Sequence, residues 1–220
     1  MESIVKKKNI TYEPTYKGHP IMTDKDIQQG CHTEILDKAL TVLTDATNDH
    51  NKVLFFRFDL HYPKGHDIPV DNCDIKRFTD NYKKSLEREG LDPRLLWVRE
   101  KAKSVRQHYH CATMLDGSKT QSPYNHLDTA DRCWNHVAGV PEDAKGYVHR
   151  GYRDWDGQRQ KNDVMLRRGS EDFDKNFDGC FRRMSYMAKV NTKGGVPKGC
   201  RQFGGSETTK KAGDDGHGQA

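Results

Sequence analysis

Apolar and polar residues alternate along residues 52–62, which is the pattern of a β-strand with one buried face. The apolar positions are Leu54, Phe56, Phe58 and Leu60, and the polar positions between them are Arg57, Asp59 and His61. Pro63 ends the run, because proline has no N–H to donate to a sheet. The pattern predicts a strand that packs on the core through one face and presents three polar side chains to a ligand on the other.

Four other segments have the spacing of three to four residues that is typical of amphipathic helices. This spacing predicts helices over residues 32–45, 74–89 and 127–137, and a fourth helix from residue 173 onward. The apolar stripe of the fourth helix consists of Phe173, Phe177, Phe181, Met184 and Ala188. The stripe therefore predicts a helix that continues to residue 188.

Two short strands, residues 95–100 and 108–115, are predicted on either side of a basic turn. The order helix, strand, helix, strand, strand, helix favours an α+β fold, in which helices pack on a central antiparallel sheet. A second hairpin is expected over residues 146–155 and 158–166, with Asp156 and Gly157 at its turn. Its alternating basic and aromatic residues are typical of a surface for single-stranded nucleic acid, or of an ordinary solvated hairpin.

The composition is polar for a fully packed chain of 220 residues, with 33% hydrophobic and 31% charged residues. Long solvated segments are therefore expected. We predict a flexible N-terminal arm over residues 1–30, one domain over residues 31–205 and a disordered tail over residues 206–220. The net charge of +5 permits a nucleic-acid partner without requiring one.

Six cysteines are scattered along the chain, and no two of them form a Cys-x-x-Cys pair. Together with the absence of a recognisable signal peptide, this distribution favours a reduced, cytoplasmic protein over a disulfide-stapled secreted one. No apolar run reaches the roughly 18 residues of a membrane span. We therefore expect no membrane partner.

The predicted hairpin of residues 95–115 carries three good ligands for a divalent cation. His108 and His110 share one face of their strand because side chains alternate. Antiparallel pairing would place Glu100 opposite them. One carboxylate and two imidazoles suit Mn²⁺, Mg²⁺ or Zn²⁺ and leave positions open for water or a phosphate oxygen. A His-x-His pair alone is weak evidence, because eleven histidines in 220 residues give an expected number of about half such a pair by chance.

Tyr186 lies outside the apolar stripe of the fourth predicted helix. At 100° per residue it faces away from the core, together with Arg182, Lys189 and Lys193. Such a face would hold a polyanionic backbone and favour ionisation of the phenol, which makes Tyr186 a candidate nucleophile toward a phosphodiester. An exposed tyrosine on a basic helix is the alternative interpretation.

The order of these blocks resembles that of the HUH endonucleases, which initiate rolling-circle replication. More narrowly, it resembles the replication initiators of filamentous inoviruses and related prophage elements. The resemblance covers about residues 50–206 and rests on several blocks together. These are Phe-Arg-Phe-Asp-Leu-His-Tyr-Pro (56–63), Trp-Val-Arg-Glu (97–100), His-Tyr-His (108–110), Tyr-Met-Ala-Lys (186–189) and Arg-Gln-Phe-Gly-Gly-Ser (201–206).

The resemblance implies a role for each matching residue. Glu100, His108 and His110 would bind Mg²⁺ or Mn²⁺, although Asp59 remains a rival to Glu100 as the third ligand. Tyr186 and Lys189 would be catalytic. Independently of the resemblance, the polar face of the first strand and the basic face of the fourth helix are expected to contact DNA through Arg57, Asp59, His61, Arg182 and Lys193. Tyr109 departs from the family pattern, which has an aliphatic residue between the two histidines.

The function implied is a metal-dependent nickase that cuts and rejoins single-stranded DNA at an origin, often a hairpin, through a 5′-phosphotyrosine. The expected setting is the cytoplasm of a bacterial host that carries a phage or plasmid. A host helicase and polymerase are the expected partners, because the chain has no Walker A motif. Two alternatives stay open: an origin-binding regulator that does not cut, and a metal-dependent phosphodiesterase that uses water.

Overall fold

The structure is a computed structural model that describes residues 9–101, 107–151, 161–191 and 196–207. Four helices account for most of its helical residues: α1 (Thr33–Asp49), α2 (Cys73–Arg88), α3 (Tyr124–Ala138) and α4 (Phe173–Ser185). A short 3₁₀ helix, Tyr186–Ala188, follows α4. The strands are β1 (Ile10–Thr11), β2 (Thr15–Tyr16), β3 (His19–Pro20), β4 (Cys31–His32), β5 (Lys52–His61), β6 (Arg94–Glu100), β7 (His108–Asp116), β8 (Val148–His149), β9 (Asp163–Arg167) and β10 (Phe203–Gly205).

A central antiparallel sheet organises the fold. Its strands follow the order β10, β6, β7, β5, and β8 and β9 both pair with the outer edge of β5. The predicted register of the β6–β7 hairpin is confirmed, because Glu100 pairs with His108 and Val98 pairs with His110. The α+β class with helices on an antiparallel sheet is also confirmed.

Helices cover both faces of the sheet and produce two separate cores. One core lies under α1 and α4 and includes Phe55, Val98 and Ala112. The other lies under α2 and α3 and contains the four apolar residues that the alternation of β5 predicted, Leu54, Phe56, Phe58 and Leu60. Strand β5 is therefore buried on both faces over its first half, whereas the sequence pattern suggested burial of one face only.

The face under α1 and α4 changes from apolar to polar along three neighbouring strands. In each strand the change takes one step of two residues, which keeps the side chain on the same face. Phe55 is followed by Arg57, Val98 by Glu100, and Ala112 is preceded by His110. One half of this face thus packs against α1 and α4, and the other half holds polar side chains.

Three predicted elements differ from the structure. The hairpin expected over residues 146–166 is absent from the described part of that segment, because β8 and β9 lie one after the other along β5 and do not pair with each other. The side chain of Asn162 fills the interval between them. Its Nδ2 donates to Arg57 O at 2.8 Å, and its Oδ1 accepts from Arg57 N at 3.3 Å. The buried side-chain amide of Asn162 therefore makes the two hydrogen bonds to the Arg57 backbone that a paired strand residue would otherwise make.

The fourth helix is shorter than its apolar stripe predicted. It ends at Ser185, and the chain continues as the 3₁₀ helix and then bends toward β4. Lys189 forms an isolated antiparallel bridge with Cys31, and Val190 N donates to Gly30 O at 2.9 Å. Backbone contacts to residues 30–31 thus determine the path of the chain after Ser185, and helical periodicity cannot anticipate such contacts.

The segment before α1 was expected to be an irregular arm, and its described part, residues 9–30, contains short paired strands. Strand β1 pairs with β4, and β2 pairs with β3. Ile21 is buried in the core under α1 and α4. The side chain of His19 lies 2.7 Å from Asp178 of α4 and contacts the rings of Phe177 and Phe181. The predicted domain boundary at residue 30 stays a prediction.

Some of the predicted features lie outside the described residues. They are residues 1–8 of the arm, residues 208–220 of the tail, the turn at Asp156 and Gly157, and Lys193. Strand β10 was not predicted, because its short Gly-rich sequence has no apolar alternation. Among the described helices, none is long and apolar enough to cross a bilayer.

Candidate functional site

The polar half of the sheet face brings together the three residues that the sequence suggested as metal ligands. Glu100 and His110 are buried, and His108 is partly exposed. One potential ligand atom from each of the three lies within 4.8 Å of the other two. The predicted convergence of Glu100, His108 and His110 is therefore confirmed, and the group forms a possible site for a metal ion.

His110 lies between two carboxylates. Its Nδ1 is 2.6 Å from Asp59 Oδ1, and its Nε2 is 2.8 Å from Glu100 Oε2. A neutral imidazole carries one N–H and can donate to only one of them. If Nδ1–H donates to Asp59, the lone pair of Nε2 points toward Glu100, and a cation between the two would be bound by both. The donor set therefore fits a divalent metal.

This geometry separates the roles of the two rival acids. Glu100 Oε1 lies 4.0 Å from His108 Nε2, so Glu100 reaches both histidines. Asp59 contacts the opposite edge of the His110 ring. Burial alone would raise the pKa of Asp59, but the imidazole of His110, together with Arg57 and His61, holds that pKa well below its usual value. Asp59 is thus an ionised carboxylate that holds one edge of the His110 ring.

A row of imidazoles extends from the site toward the outer edge of the sheet. The rings of His61 and His108 stack with centroids 4.9 Å apart, and His149 stacks on the other side of His61 at 4.0 Å. Burial and the neighbouring rings of His149 and His108 lower the pKa of His61 to about 4. His61 is therefore neutral near pH 7. The sequence did not single out His149, because its role depends on the pairing of β8 with β5.

The ring of Tyr186 faces this group. Its centroid is 5.9 Å from that of His110, in an edge-to-face arrangement. Lys189 Nζ lies 3.7 Å from the centroid of the Tyr186 ring and 3.9 Å from Glu100 Oε1. The ammonium group of buried Lys189 thus lies between the candidate ligands and the phenol ring.

The other predicted DNA-contacting residues occupy different environments. The Arg57 guanidinium lies 5.6 Å from the Tyr186 ring, and its Nη1 donates to Arg183 O at 2.7 Å. Arg57 thus braces the end of α4. Arg182 is exposed on the outer side of α4. Arg183, which the sequence did not single out, donates to Asn162 O at 3.0 Å and packs over the Phe55 ring.

The chain matches the sequence profile of the YagK/YfjJ C-terminal domain over residues 11–206. It is 27% identical over 213 residues to the Escherichia coli (strain K12) uncharacterized protein YfjJ, covering 81% of this chain and 97% of that protein. It is 26% identical over 218 residues to the uncharacterized protein YagK of the same organism, with the same two coverages.

The catalytic domain of the Adeno Associated Virus type 5 Rep protein aligns with 53% of this chain and 76% of its own length, at 10% identity and a TM-score of 0.33. The profile match is the far more extensive of these similarities, since it takes in every helix of the described structure and nine of its ten strands in full. The chain belongs to the YagK/YfjJ C-terminal domain family.

Proposed function

We propose that this protein is a single-tyrosine DNA nickase that cuts and rejoins single-stranded DNA with the help of a divalent metal. The observation that carries the proposal is the position of the Tyr186 ring, which contacts His110 on the same sheet face as the Glu100, His108 and His110 group. Buried ligands next to a partly exposed phenol and two cations form an arrangement that core packing alone does not require.

Each residue would have a distinct role. Glu100, His108 and His110 would hold Mg²⁺ or Mn²⁺, and Asp59 would fix the orientation of His110. When bound, the metal would supply charge stabilisation at the oxygens of the scissile phosphate. Lys189 and Arg57, both next to the Tyr186 ring, would bind the same phosphate group.

The chemical step would be an in-line displacement by the phenolate oxygen of Tyr186 on phosphorus. A bond forms between that oxygen and phosphorus, and the bond from phosphorus to the 3′ oxygen breaks. The products are a 5′-phosphotyrosine and a 3′ hydroxyl, which takes up the proton that the phenol has lost. The reverse attack by a 3′ hydroxyl restores the phosphodiester and the free tyrosine, so no external energy source is needed for rejoining.

The phenol of Tyr186 must give up its proton for the displacement to take place. The neutral imidazole of His61 could accept that proton through the stacked histidines or through water. The exposed Arg182 would contact the DNA backbone away from the scissile bond, and so would Lys193, which lies further along the chain. Replication initiation of the kind found in filamentous inoviruses and plasmids, with a host helicase and polymerase, is the biological role we propose for this chemistry.

A covalent adduct tests the proposal directly. Single-stranded DNA that is labelled at its 3′ end and carries the origin that the protein is proposed to cut is incubated with the protein and Mn²⁺ and then separated on a denaturing gel. We expect a labelled band at the mass of protein plus DNA, and the Tyr186→Phe substitution should remove it. Tyr124→Phe, an exposed tyrosine at the start of α3 on the other face of the sheet, is the matched control.

Other outcomes of this experiment identify the alternative functions. Cutting without an adduct, retained in Tyr186→Phe, would indicate a phosphodiesterase that uses water. Binding without cutting in the presence of each of Mn²⁺ and Mg²⁺ would indicate a regulator that has the fold but not the activity. Either result would contradict the nickase proposal.

A further inference from the structure

A basic surface lies on the opposite side of the sheet from the candidate site. It is a groove of about 450 Å³ between α2 and α3. Lys84 and Arg88 line it from α2, and Arg132 and His136 line it from α3. Each pair is spaced i, i+4, so that its two side chains lie on one face of its helix, roughly 6 Å apart. Two rows of basic side chains therefore face each other across the groove.

The basic residues of this groove differ from the other cations of α2. Arg77 and Lys83 each lie within 3.9 Å of a carboxylate, on Asp74 and Glu87 respectively. Lys84 and Arg88 form no ion pair with another residue in the described parts of the chain. Lys84 and Arg88 of α2 are therefore available to bind an anionic ligand.

The groove contains one opposing charge. The carboxylate of Glu142 lies 4.0 Å from Arg132 Nε, and both side chains are more than half exposed. A surface pair of this kind is weak and is easily exchanged for a stronger anion. The groove therefore keeps a net positive charge.

The lining favours phosphate groups over a peptide. A helical peptide that docks between two helices needs apolar pockets along the groove, and Val140 is the aliphatic residue that this lining offers. Neutral polar side chains, Asn81 and Ser85, also line the groove beside the cations of α2. Cations next to neutral polar side chains are typical of contacts to a nucleic-acid backbone.

We infer that the groove between α2 and α3 binds the phosphate backbone of duplex DNA as a second contact, separate from the strand at the candidate site. The inference rests on the proposed function only for the choice of DNA as the polyanion. Helices α2 and α3 pack on the face opposite Glu100, His108 and His110, so the sheet separates the two surfaces. A short single strand at the candidate site would not reach the groove, whereas a folded origin could contact both.

Equilibrium binding of a labelled hairpin duplex of about two helical turns tests this inference. The protein carries Tyr186→Phe throughout, and EDTA is present, so the result does not depend on cutting. The test variant combines Lys84→Gln with Arg88→Gln. The matched control combines Arg77→Gln with Lys83→Gln, which removes one arginine and one lysine from the same helix outside the groove.

We expect the groove variant to bind the duplex at least about 10-fold more weakly, with a salt dependence lower by about two units, because two phosphate contacts are lost. The control should stay within about 2-fold of the parent. A short single-stranded oligonucleotide should bind all three proteins alike. Circular dichroism melts of the three proteins distinguish lost contacts from lost folding.

Several results would overturn the inference. One is an unchanged affinity of the groove variant, and another is an equal loss in the control, which would indicate an effect of net charge only. A third is displacement of the duplex by polyglutamate as efficiently as by unlabelled duplex, which would assign the groove to an acidic polypeptide. Failure of the adduct assay would leave this binding result unaffected.

Discussion

His110 connects the two carboxylates of the candidate site, and its two ring nitrogens give those acids different roles. Nδ1 faces Asp59, whereas Nε2 faces Glu100, whose other carboxylate oxygen lies 4.0 Å from His108 Nε2. Hydrogen bonds to the outer nitrogen of a metal-binding histidine fix its tautomer and raise its basicity. Asp59 is therefore expected to act on the metal through His110.

This assignment predicts a graded response of metal affinity to truncation of the two acids. Asp59→Ala should weaken Mn²⁺ binding by about 10- to 100-fold, because the ring of His110 loses its orienting partner. Glu100→Ala should weaken it further, because a ligand atom is lost. Isothermal titration calorimetry measures both values. Asp116→Ala removes a similar carboxylate, 3.8 Å from His50 at the other end of the sheet, and should leave Mn²⁺ affinity unchanged. A larger loss in Asp59→Ala than in Glu100→Ala would make Asp59 the direct ligand.

The two histidines should matter for cutting and little for DNA affinity. The double substitution His108→Ala with His110→Ala removes two of the three ligand atoms and is expected to abolish the covalent adduct. Salt-sensitive binding of single-stranded DNA should stay within about 3-fold, since contacts to phosphates supply most of the affinity. Adduct formation and fluorescence anisotropy are measured on the same preparation. Equal loss of both activities would mean that the imidazoles are structural.

At the scale of elements, the sequence predicts most of what positions the site. The alternation in β5 identifies the face that carries Arg57, Asp59 and His61, and antiparallel pairing of β6 with β7 follows from their closeness in sequence. These predictions succeed because each depends on periodicity within one strand or on a single local connection. Residues 100, 108 and 110 could therefore be grouped without any knowledge of the rest of the fold.

Contacts between distant segments account for what sequence patterns missed. The apolar stripe of α4 continues to Ala188, yet the helix ends at Ser185, and the chain after it turns so that Lys189 and Val190 pair with residues 30–31. Strand β8 has two residues and no pattern of its own, so its contribution of His149 depends on its pairing with β5. Long-range pairing of such short elements leaves no periodic signal in the sequence.

Strand β10 is another such element, and it covers the edge of β6 through a close approach to Trp97. A Cβ atom at Gly204 would lie 2.7 Å from the Trp97 ring, which itself packs edge-to-face on Tyr109. Gly204→Ala should therefore lower the free energy of unfolding by about 1–3 kcal/mol, because the indole has little room to move. Urea denaturation measures the change.

The matched control for β10 is a glycine whose substitution meets no neighbour. Gly179 lies on the exposed side of α4, and a Cβ atom there would have no atom within 4 Å. Gly179→Ala should raise the free energy of unfolding by about 0.5–1 kcal/mol, since alanine loses less backbone entropy in a helix. Equal effects of the two substitutions would contradict the packing of β10 against Trp97.

For the whole molecule, none of the candidate metal ligands belongs to either of the two cores. Each core is complete without the polar residues: one packs under α1 and α4, the other under α2 and α3. The polar residues of the candidate site instead place two carboxylates, those of Asp59 and Glu100, next to the single imidazole of His110, which costs stability when no cation is bound. The protein should therefore fold without metal, and binding of a cation should add to its stability.

Thermal unfolding with and without Mn²⁺ tests this separation. At a metal concentration of about 100 times the dissociation constant, binding to the folded state alone adds about 2.7 kcal/mol. For a chain of this size the midpoint of unfolding should rise by roughly 5–10 °C. With EDTA the melt should remain cooperative, because the cores do not include the ligands. The His108→Ala, His110→Ala variant should show the same cooperative melt and no response to Mn²⁺. Loss of cooperative unfolding on chelation would instead mean that the cation is needed to hold the two cores together.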